Sequence, residues 1–144
     1  MPPLWLFPLL SAFPFFEGRY ALPLAILWGL SPLTAYFLCT LPNLAVIPAI
    51  LLALERMVPP LRRRWEWVDN FFRLMVRKKL RKKHFLALFT FVSLPLPGTG
   101  AYTGTILAFM LGMRGWKPAL TVALGVLTAN ALTALPATGL SLWL

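Results

Sequence analysis

Side chains with reactive or metal-binding chemistry are scarce in this chain. Its 144 residues include four acids, one histidine and one cysteine. A single cysteine excludes an intrachain disulfide. Neither Cys39 nor His84 has the companion set that nucleophilic catalysis or metal binding requires. We therefore expect no enzyme activity, no metal site and no cofactor.

Charge of either sign is also rare over most of the chain. Charged residues make up 12% of the sequence against 59% hydrophobic residues, whereas soluble domains carry about 25% charged residues. Residues 118–144 contain no charge, and a helix of that length crosses about 30 Å of hydrocarbon. The composition indicates an all-α integral membrane protein that forms a single membrane domain over residues 1–144.

Positive charge is concentrated in one segment, between Glu55 and His84. Eleven of the fourteen Lys and Arg residues lie there, together with three of the four acids. By the positive-inside rule such a segment faces the cytoplasm, and Arg114 and Lys117 assign a second turn to the same side. We predict a multi-pass protein of the cell (inner) membrane with residues 55–84 cytoplasmic and both termini outside.

Four apolar runs are too short to cross a bilayer, which takes about 20 residues. These runs are 4–16, 20–30, 85–97 and 101–113. Polar or glycine-rich breaks, Glu17-Gly18-Arg19 and Gly98-Thr99-Gly100, divide them into two pairs. Each pair predicts a re-entrant helical hairpin with its tip inside the protein, because non-helical backbone at membrane depth is tolerated only there. The full spans are then 32–54 and 118–140.

A hairpin followed by a span occurs twice, which indicates an internal repeat. The matches in order are Gly18-x-Tyr20 with Gly100-x-Tyr102, Gly29 with Gly112, Pro32 with Pro118, Asn43 with Asn130, and Pro48 with Pro136. Because each unit contains one full crossing, the second copy lies inverted relative to the first. We predict repeat 1 at 4–54, a basic linker at 55–84 and repeat 2 at 85–144. The uncharged run 20–41 leaves an ordinary four-span bundle open.

The linker carries an amphipathic pattern over residues 65–76. Apolar side chains recur on one helical face and charged ones on the other, which predicts a helix lying on the membrane surface. The basic run after it lies between membrane segments, so we expect it to attract anionic lipid head groups rather than nucleic acid. The expected lipid-contacting residues are Arg77, Lys78, Lys79, Arg81, Lys82 and Lys83.

Glu17 and Arg19 are the only charged residues among the first 54. A charge at the bilayer centre costs about 2.5 kcal/mol or more, so a functional role is the default hypothesis. We interpret Arg19 as a ligand for an anionic head group and Glu17 as a proton carrier. The alternative is an ion pair that only closes the hairpin.

The opposite tip, residues 93–104, combines prolines with glycines. Glycine permits a tight reversal, proline bars continuous helix, and the free N–H groups of the next half-helix suit an anion. Gly100 and Gly104 fit close helix packing equally well, and Asn43 and Asn130 favour hydrogen bonds between spans over substrate contact. The candidate site residues are Glu17, Arg19, Asn43, Pro97, Gly98, Thr99, Gly100, Tyr102 and Asn130.

Two motifs carry a resemblance to a known family. They are Phe16-Glu17-Gly18-Arg19-Tyr20-Ala21-Leu22-Pro23 and Pro95-Leu96-Pro97-Gly98-Thr99-Gly100-Ala101-Tyr102-Thr103-Gly104, the latter followed by 108–114. With them the chain resembles, over nearly its whole length, the putative small multidrug export protein family, which is similar to DedA-like (SNARE-associated/VTT-type) membrane proteins. Where that family usually has Glu-x-Arg-Gly-x-Ile-Pro, this chain has Tyr20 for the glycine and Leu22 for the isoleucine.

The resemblance implies a small transporter with two re-entrant hairpins. By this resemblance, Glu17 and Arg19 correspond to the charged positions of the family's first motif. Pro97, Gly98 and Gly100 correspond to the turn of its second motif. Such a protein moves an anionic lipid or lipid-linked carrier, or exports small molecules, with proton coupling at Glu17. The alternative is a non-transporting membrane scaffold with a structural Glu17–Arg19 pair. Two spans and two half-depth hairpins enclose a pathway poorly, so we expect a homodimer or higher homo-oligomer.

Overall fold

Seven α-helices make up the regular structure of the described residues. The computed structural model describes residues 3–14, 16–76 and 82–142, and for residues 75, 76, 82 and 83 it describes the backbone alone. The helices are α1 Leu6–Ala12, α2 Glu17–Leu27, α3 Pro32–Arg64, α4 Glu66–Val76, α5 Lys82–Ser93, α6 Ala101–Met110 and α7 Trp116–Ser141. The all-helical prediction is confirmed over this part of the chain.

Two helices, α3 and α7, are long and apolar enough to cross a membrane. Their 33 and 26 residues extend over roughly 50 and 39 Å at 1.5 Å per residue. Only 22% of the most apolar stretch of α3 and 33% of that of α7 are buried inside the protein. Most of their apolar surface therefore faces outward, as it does in a membrane protein and not in the core helix of a soluble one.

The first span is longer than predicted. Ser31 caps α3 by accepting a bond from the Thr34 backbone N–H, and Pro32 occupies the first turn, where its missing N–H is not needed. The helix then continues past residue 54 to Arg64, and Trp65 ends it in an extended conformation. The predicted linker therefore begins as helix, because charge at Glu55 lowers hydropathy without interrupting backbone hydrogen bonding.

The separate amphipathic helix is α4, within the predicted segment. It follows Trp65 directly and contacts both α3 and α6. Most of the expected lipid-contacting residues, Arg77, Lys78, Lys79 and Arg81, lie outside the described residues. The side chains of Lys82 and Lys83 also lie outside the description, although their backbone forms the start of α5.

The four remaining helices form two pairs, α1 with α2 and α5 with α6. Their lengths are 7, 11, 12 and 10 residues, too short for a crossing. The predicted breaks are displaced. Glu17-Gly18-Arg19 is not a break, because it forms the first turn of α2, and the second break covers 94–100 rather than Gly98-Thr99-Gly100 alone.

The helix pairs pack on the long helices in a crossed arrangement. The first helix of each pair, α1 or α5, contacts the long helix of its own half, α3 or α7 respectively. The second helix, α2 or α6, also contacts the long helix of the other half. The two long helices contact each other as well. Both pairs therefore meet at the middle of the molecule.

A layer of buried polar residues separates two apolar clusters. One cluster is centred on α1, α2 and the start of α3, and the other on α5, α6 and the first half of α7. Along α3, Cys39 belongs to the first cluster and Ile47 to the second, and the buried Thr40 and Asn43 lie between them. The candidate site lies in this layer.

Candidate functional site

Glu17 combines burial with an unfavourable backbone conformation. It is the first residue of α2, its φ is 44°, and it is 6% exposed. Within the described part of the chain it is the only residue other than glycine with positive φ. A left-handed conformation of this kind costs about 1–3 kcal/mol and persists only where surrounding contacts impose it.

The Glu17 carboxylate lies against the start of α6. A Cβ atom built on Gly100, which caps α6, would fall 1.3 Å from Glu17 Oε2, so any side chain at position 100 would displace the Glu17 carboxylate. Gly100 supplies no side-chain cap, and the backbone N–H of Tyr102 interacts with the Glu17 carboxylate. Glu17 therefore serves as an N-terminal cap contributed by another helix, at the end where the helix dipole favours negative charge.

Arg19, two residues later, holds the loop before α6. Its Nη1 donates to Leu94 O at 2.7 Å, Leu96 O at 3.1 Å and Thr99 Oγ1 at 2.5 Å. Its Nη2 donates to Val92 O at 2.5 Å and Thr99 O at 2.9 Å. These five acceptors belong to the end of α5 and to the loop after it, where helix carbonyls have no partner of their own.

The bonding of Arg19 bears on its predicted role as an anion ligand. Arg19 is 4% exposed. Both terminal nitrogens of its guanidinium group already donate to protein acceptors. Its Nε is 4.0 Å from Glu17 Oε2, at the outer limit of an ion pair. In this conformation Arg19 therefore positions the 94–100 loop, and an anion reaches it only after some of these bonds open.

A reciprocal contact joins the other two helix ends. The Tyr102 hydroxyl, from the first turn of α6, donates to the carbonyl of Ala12, the last residue of α1. Each second helix therefore bonds the end of the first helix of the opposite pair. We refer to Glu17, Arg19, Thr99, Gly100 and Tyr102 together as the interlock.

Next to the interlock, α2 packs closely on both long helices. A Cβ on Gly18 would fall 2.7 Å from Asn130 Nδ2 and 3.1 Å from Cys39 O. Asn130 Nδ2 donates to Thr40 Oγ1 at 3.0 Å, which is a hydrogen bond between α7 and α3. Ser11 Oγ donates to the Cys39 carbonyl. Asn130 thus makes a hydrogen bond between α7 and α3, which its place in the sequence favoured over substrate contact.

Among the described residues, several buried polar atoms in this region have no hydrogen-bond partner. They are both amide atoms of Asn43, Oδ1 of Asn130 and Oγ of Ser93. An unpaired buried polar group costs about 1–3 kcal/mol, so native proteins keep few of them. The layer therefore contains hydrogen-bonding atoms that the closed interlock does not use.

The structure brings together only part of the predicted site. Five of the candidates form the interlock, and Asn130 borders it through Gly18. Pro97 and Gly98 are exposed, with Gly98 making the turn at φ 81°, and no described contact joins either of them to Glu17 or Arg19. Sequence reasoning missed the acceptors Val92, Leu94 and Ala12, since a backbone carbonyl leaves no signal in side-chain identity.

The family assignment rests on a match over most of the chain. A sequence profile of the family described as "Putative small multi-drug export protein" matches residues 17–132. The chain belongs to this family. Comparisons with curated proteins and with solved structures gave no match.

Membership in the small multidrug export family indicates a transporter-like membrane protein. The match begins at Glu17 and extends into the second half of α7. All five interlock residues and both span asparagines therefore lie inside the region by which the family is recognised.

Proposed function

We propose that this small multidrug export family member exports small molecules by opening the interlock, with Glu17 as the proton-coupling carboxylate. The observation that carries the proposal is the buried Glu17 carboxylate, which caps α6 from a residue with a strained backbone. No other acid occurs in 1–54 or 84–144, so Glu17 is the one carboxylate available for coupling inside the membrane segments.

Protonation of Glu17 provides a physical trigger for opening. A neutral carboxylic acid loses its attraction to the positive end of α6 and to Arg19. The contacts that impose the left-handed backbone at residue 17 then weaken, and relief of that strain favours separation of α2 from α6. Opening also frees Arg19 donors and exposes the unpaired polar atoms of Asn43 and Asn130 to a substrate.

The proposal includes the inverted repeat of two re-entrant hairpins, joined by the basic amphipathic helix. In its support, the contact pattern among the six helices other than α4 is unchanged when α1, α2 and α3 are exchanged for α5, α6 and α7. Short helices meeting at mid-molecule are the elements from which many secondary transporters build their sites. The proposed topology keeps residues 55–84 in the cytoplasm and both termini outside.

A second candidate is the movement of an anionic lipid or lipid-linked carrier, as in the DedA-like proteins that this chain resembles. Arg19 beside Glu17 favours it, because a purely cationic substrate would meet a like charge at this site. The scaffold alternative is favoured by the closed state of the pair, with Glu17 and Arg19 only 6% and 4% exposed.

One experiment separates these functions. Proteoliposomes containing the parent, Glu17→Gln or Glu55→Gln are given a pH gradient, and the efflux of a fluorescent cationic dye is compared with the leaflet exchange of fluorescent anionic and zwitterionic lipids. We expect gradient-dependent dye efflux that Glu17→Gln abolishes and that Glu55→Gln, a control at the exposed end of α3, preserves. Selective movement of anionic lipid would favour the second candidate, and no movement of any probe would favour the scaffold.

A further inference from the structure

A groove lined by arginines opens at the far end of α3. Its volume is about 960 Å³, and it lies between the end of α3, helix α4 and the turn that follows α6. A smaller cleft of about 390 Å³ next to it shares three of the same arginines. The arginine groove, as we define it, comprises Arg62, Arg63, Asp69, Phe72, Arg73 and Arg114.

One carboxylate orients two of these arginines. Arg62 Nε donates to Asp69 Oδ1 at 2.8 Å, and Arg73 Nε donates to Asp69 Oδ2 at 2.6 Å. The Arg62 guanidinium also lies 5.3 Å from the centre of the Phe72 ring, within cation–π range. Both guanidinium groups are therefore held in place before any ligand binds, which lowers the entropic cost of binding.

The groove contains more positive charge than its own residues neutralise. Four arginines share the single acid Asp69. Within the described residues, the side chains of Arg63 and Arg114 have no hydrogen-bond or ion-pair partner, and Arg73 uses only its Nε. Several guanidinium donors are free, and their fork geometry matches the oxygens of a phosphate group.

The surroundings of the groove place it at a lipid–water interface. Trp65 and Trp67, at the junction of α3 and α4, stack with ring centres 5.9 Å apart and are exposed. Trp116, at the start of α7, is 70% exposed. Exposed tryptophans at helix ends are typical of the interfacial belt of membrane proteins. Leu74 and Phe109 supply apolar walls beside the arginines.

We infer that the arginine groove binds the phosphate head group of an anionic phospholipid from the surrounding bilayer. The guanidinium groups of Arg73 and Arg114 contact the phosphate, while the apolar walls receive the start of an acyl chain. A soluble phosphate ion offers the same oxygens but uses none of the apolar wall.

This binding site does not depend on the proposed export function. On α6, which reaches both sites, Tyr102 of the interlock and Phe109 at the groove wall are about 10 Å apart at 1.5 Å per residue. No residue of the interlock lines the groove. Glu17→Gln should therefore leave lipid binding unchanged even where it abolishes export, so failure of one proposal is distinguishable from failure of the other.

The test measures lipid binding by native mass spectrometry of the full chain in detergent. Phosphatidylglycerol and phosphatidylcholine are titrated against the parent, Arg114→Gln and Arg64→Gln. Within the part of the chain that the structure describes, the Arg114 side chain has no hydrogen bond or ion pair to lose, so its substitution should leave folding intact. Arg64 is exposed and lies outside the groove, so Arg64→Gln removes an equal charge at the same end of α3.

We expect the parent to prefer phosphatidylglycerol, Arg114→Gln to weaken that binding about tenfold, and Arg64→Gln to change it less than twofold. Equal losses of phosphatidylglycerol affinity in the two variants would indicate diffuse electrostatic attraction to the surface instead of a defined site. That result would overturn the inference. Equal affinity for the two lipids would overturn it as well. Inorganic phosphate that displaces the lipid at comparable concentration would identify a soluble anion as the ligand and contradict the lipid assignment.

Discussion

Among single residues, the site depends on the absence of a side chain at Gly100 and on the hydrogen-bond donors of Arg19. Gly100 leaves the space that the Glu17 carboxylate occupies, and Arg19 supplies the donors that hold the 94–100 loop before α6. The sequence was sufficient to select these residues, because charge is so rare in an apolar chain. It could not predict that Arg19 bonds carbonyls of the opposite helix pair, since that contact depends on how the pairs pack.

Gly100→Ala tests the fit between α6 and Glu17. The added methyl group would overlap the Glu17 carboxylate, so we expect a loss of about 1–3 kcal/mol in the free energy of unfolding, together with loss of gradient-dependent export. Gly139→Ala is the control, because nothing lies within 4 Å of a Cβ built there. Unfolding in detergent is the measurement, and equal stability of the two variants would show that position 100 tolerates a side chain.

Arg19→Lys tests the positioning role of the guanidinium. Lysine keeps the charge but cannot reproduce a planar fork that reaches five acceptors. Since a hydrogen bond to a charged group contributes about 1.5–3 kcal/mol, we expect destabilisation of about 3 kcal/mol and faster hydrogen exchange in residues 94–100. Arg64→Lys, at the exposed end of α3, should change neither. A stable Arg19→Lys protein with an unaltered loop would argue against this role.

At the scale of elements, helix identity was more predictable than helix limits. The two spans and the amphipathic helix follow from hydropathy and periodicity, and all three are present. The end of α3 at Arg64 was not predictable, because the change from lipid to water lowers hydropathy without breaking the helix. The shift of the first break away from Glu17-Gly18-Arg19 has a similar cause, since a polar triplet does not by itself stop a helix.

Asp69 couples α4 to α3 in a pH-dependent manner. Hydrogen bonds from Arg62 of α3, and then from Arg73 of α4, hold the pKa of the Asp69 carboxyl below its usual value. A lowered folded-state pKa stabilises docking above the unfolded value of about 4, and the contribution disappears as pH falls through the folded value.

We therefore expect hydrogen-exchange protection of α4, relative to α7, to decrease as the pH falls below about 4. Asp69→Asn should show the low protection at every pH, whereas Glu66→Gln, in the same first turn of α4, should behave as the parent does. If α4 of Asp69→Asn were as strongly protected as α4 of the parent at neutral pH, the coupling would be refuted.

At the scale of the whole molecule, apolar surface dominates. Large hydrophobic side chains are exposed along both spans, including Leu33 at 70% and Leu135 at 71%. Lipid accounts for such exposure in a membrane protein, and so does a second copy of the chain. The sequence predicted the membrane class from this composition, but composition does not distinguish lipid contact from subunit contact.

We predict a homodimer, because two spans with two short helix pairs form a thin wall around a pathway. Size measurement in mild detergent and in nanodiscs should give twice the mass of the 144-residue chain. The dimer should persist on dilution as long as native lipid is retained. A monodisperse monomer in both environments, still active in export, would rule it out.

We propose that Glu17 couples export to protons at the interlock. The most direct measurement is the ratio of dye efflux with and without a pH gradient, compared between the parent and Glu17→Gln in the same liposomes. We expect a ratio well above one for the parent and a ratio of one for Glu17→Gln, with both proteins folded. A Glu17→Gln protein that responds to the gradient as strongly as the parent would contradict it.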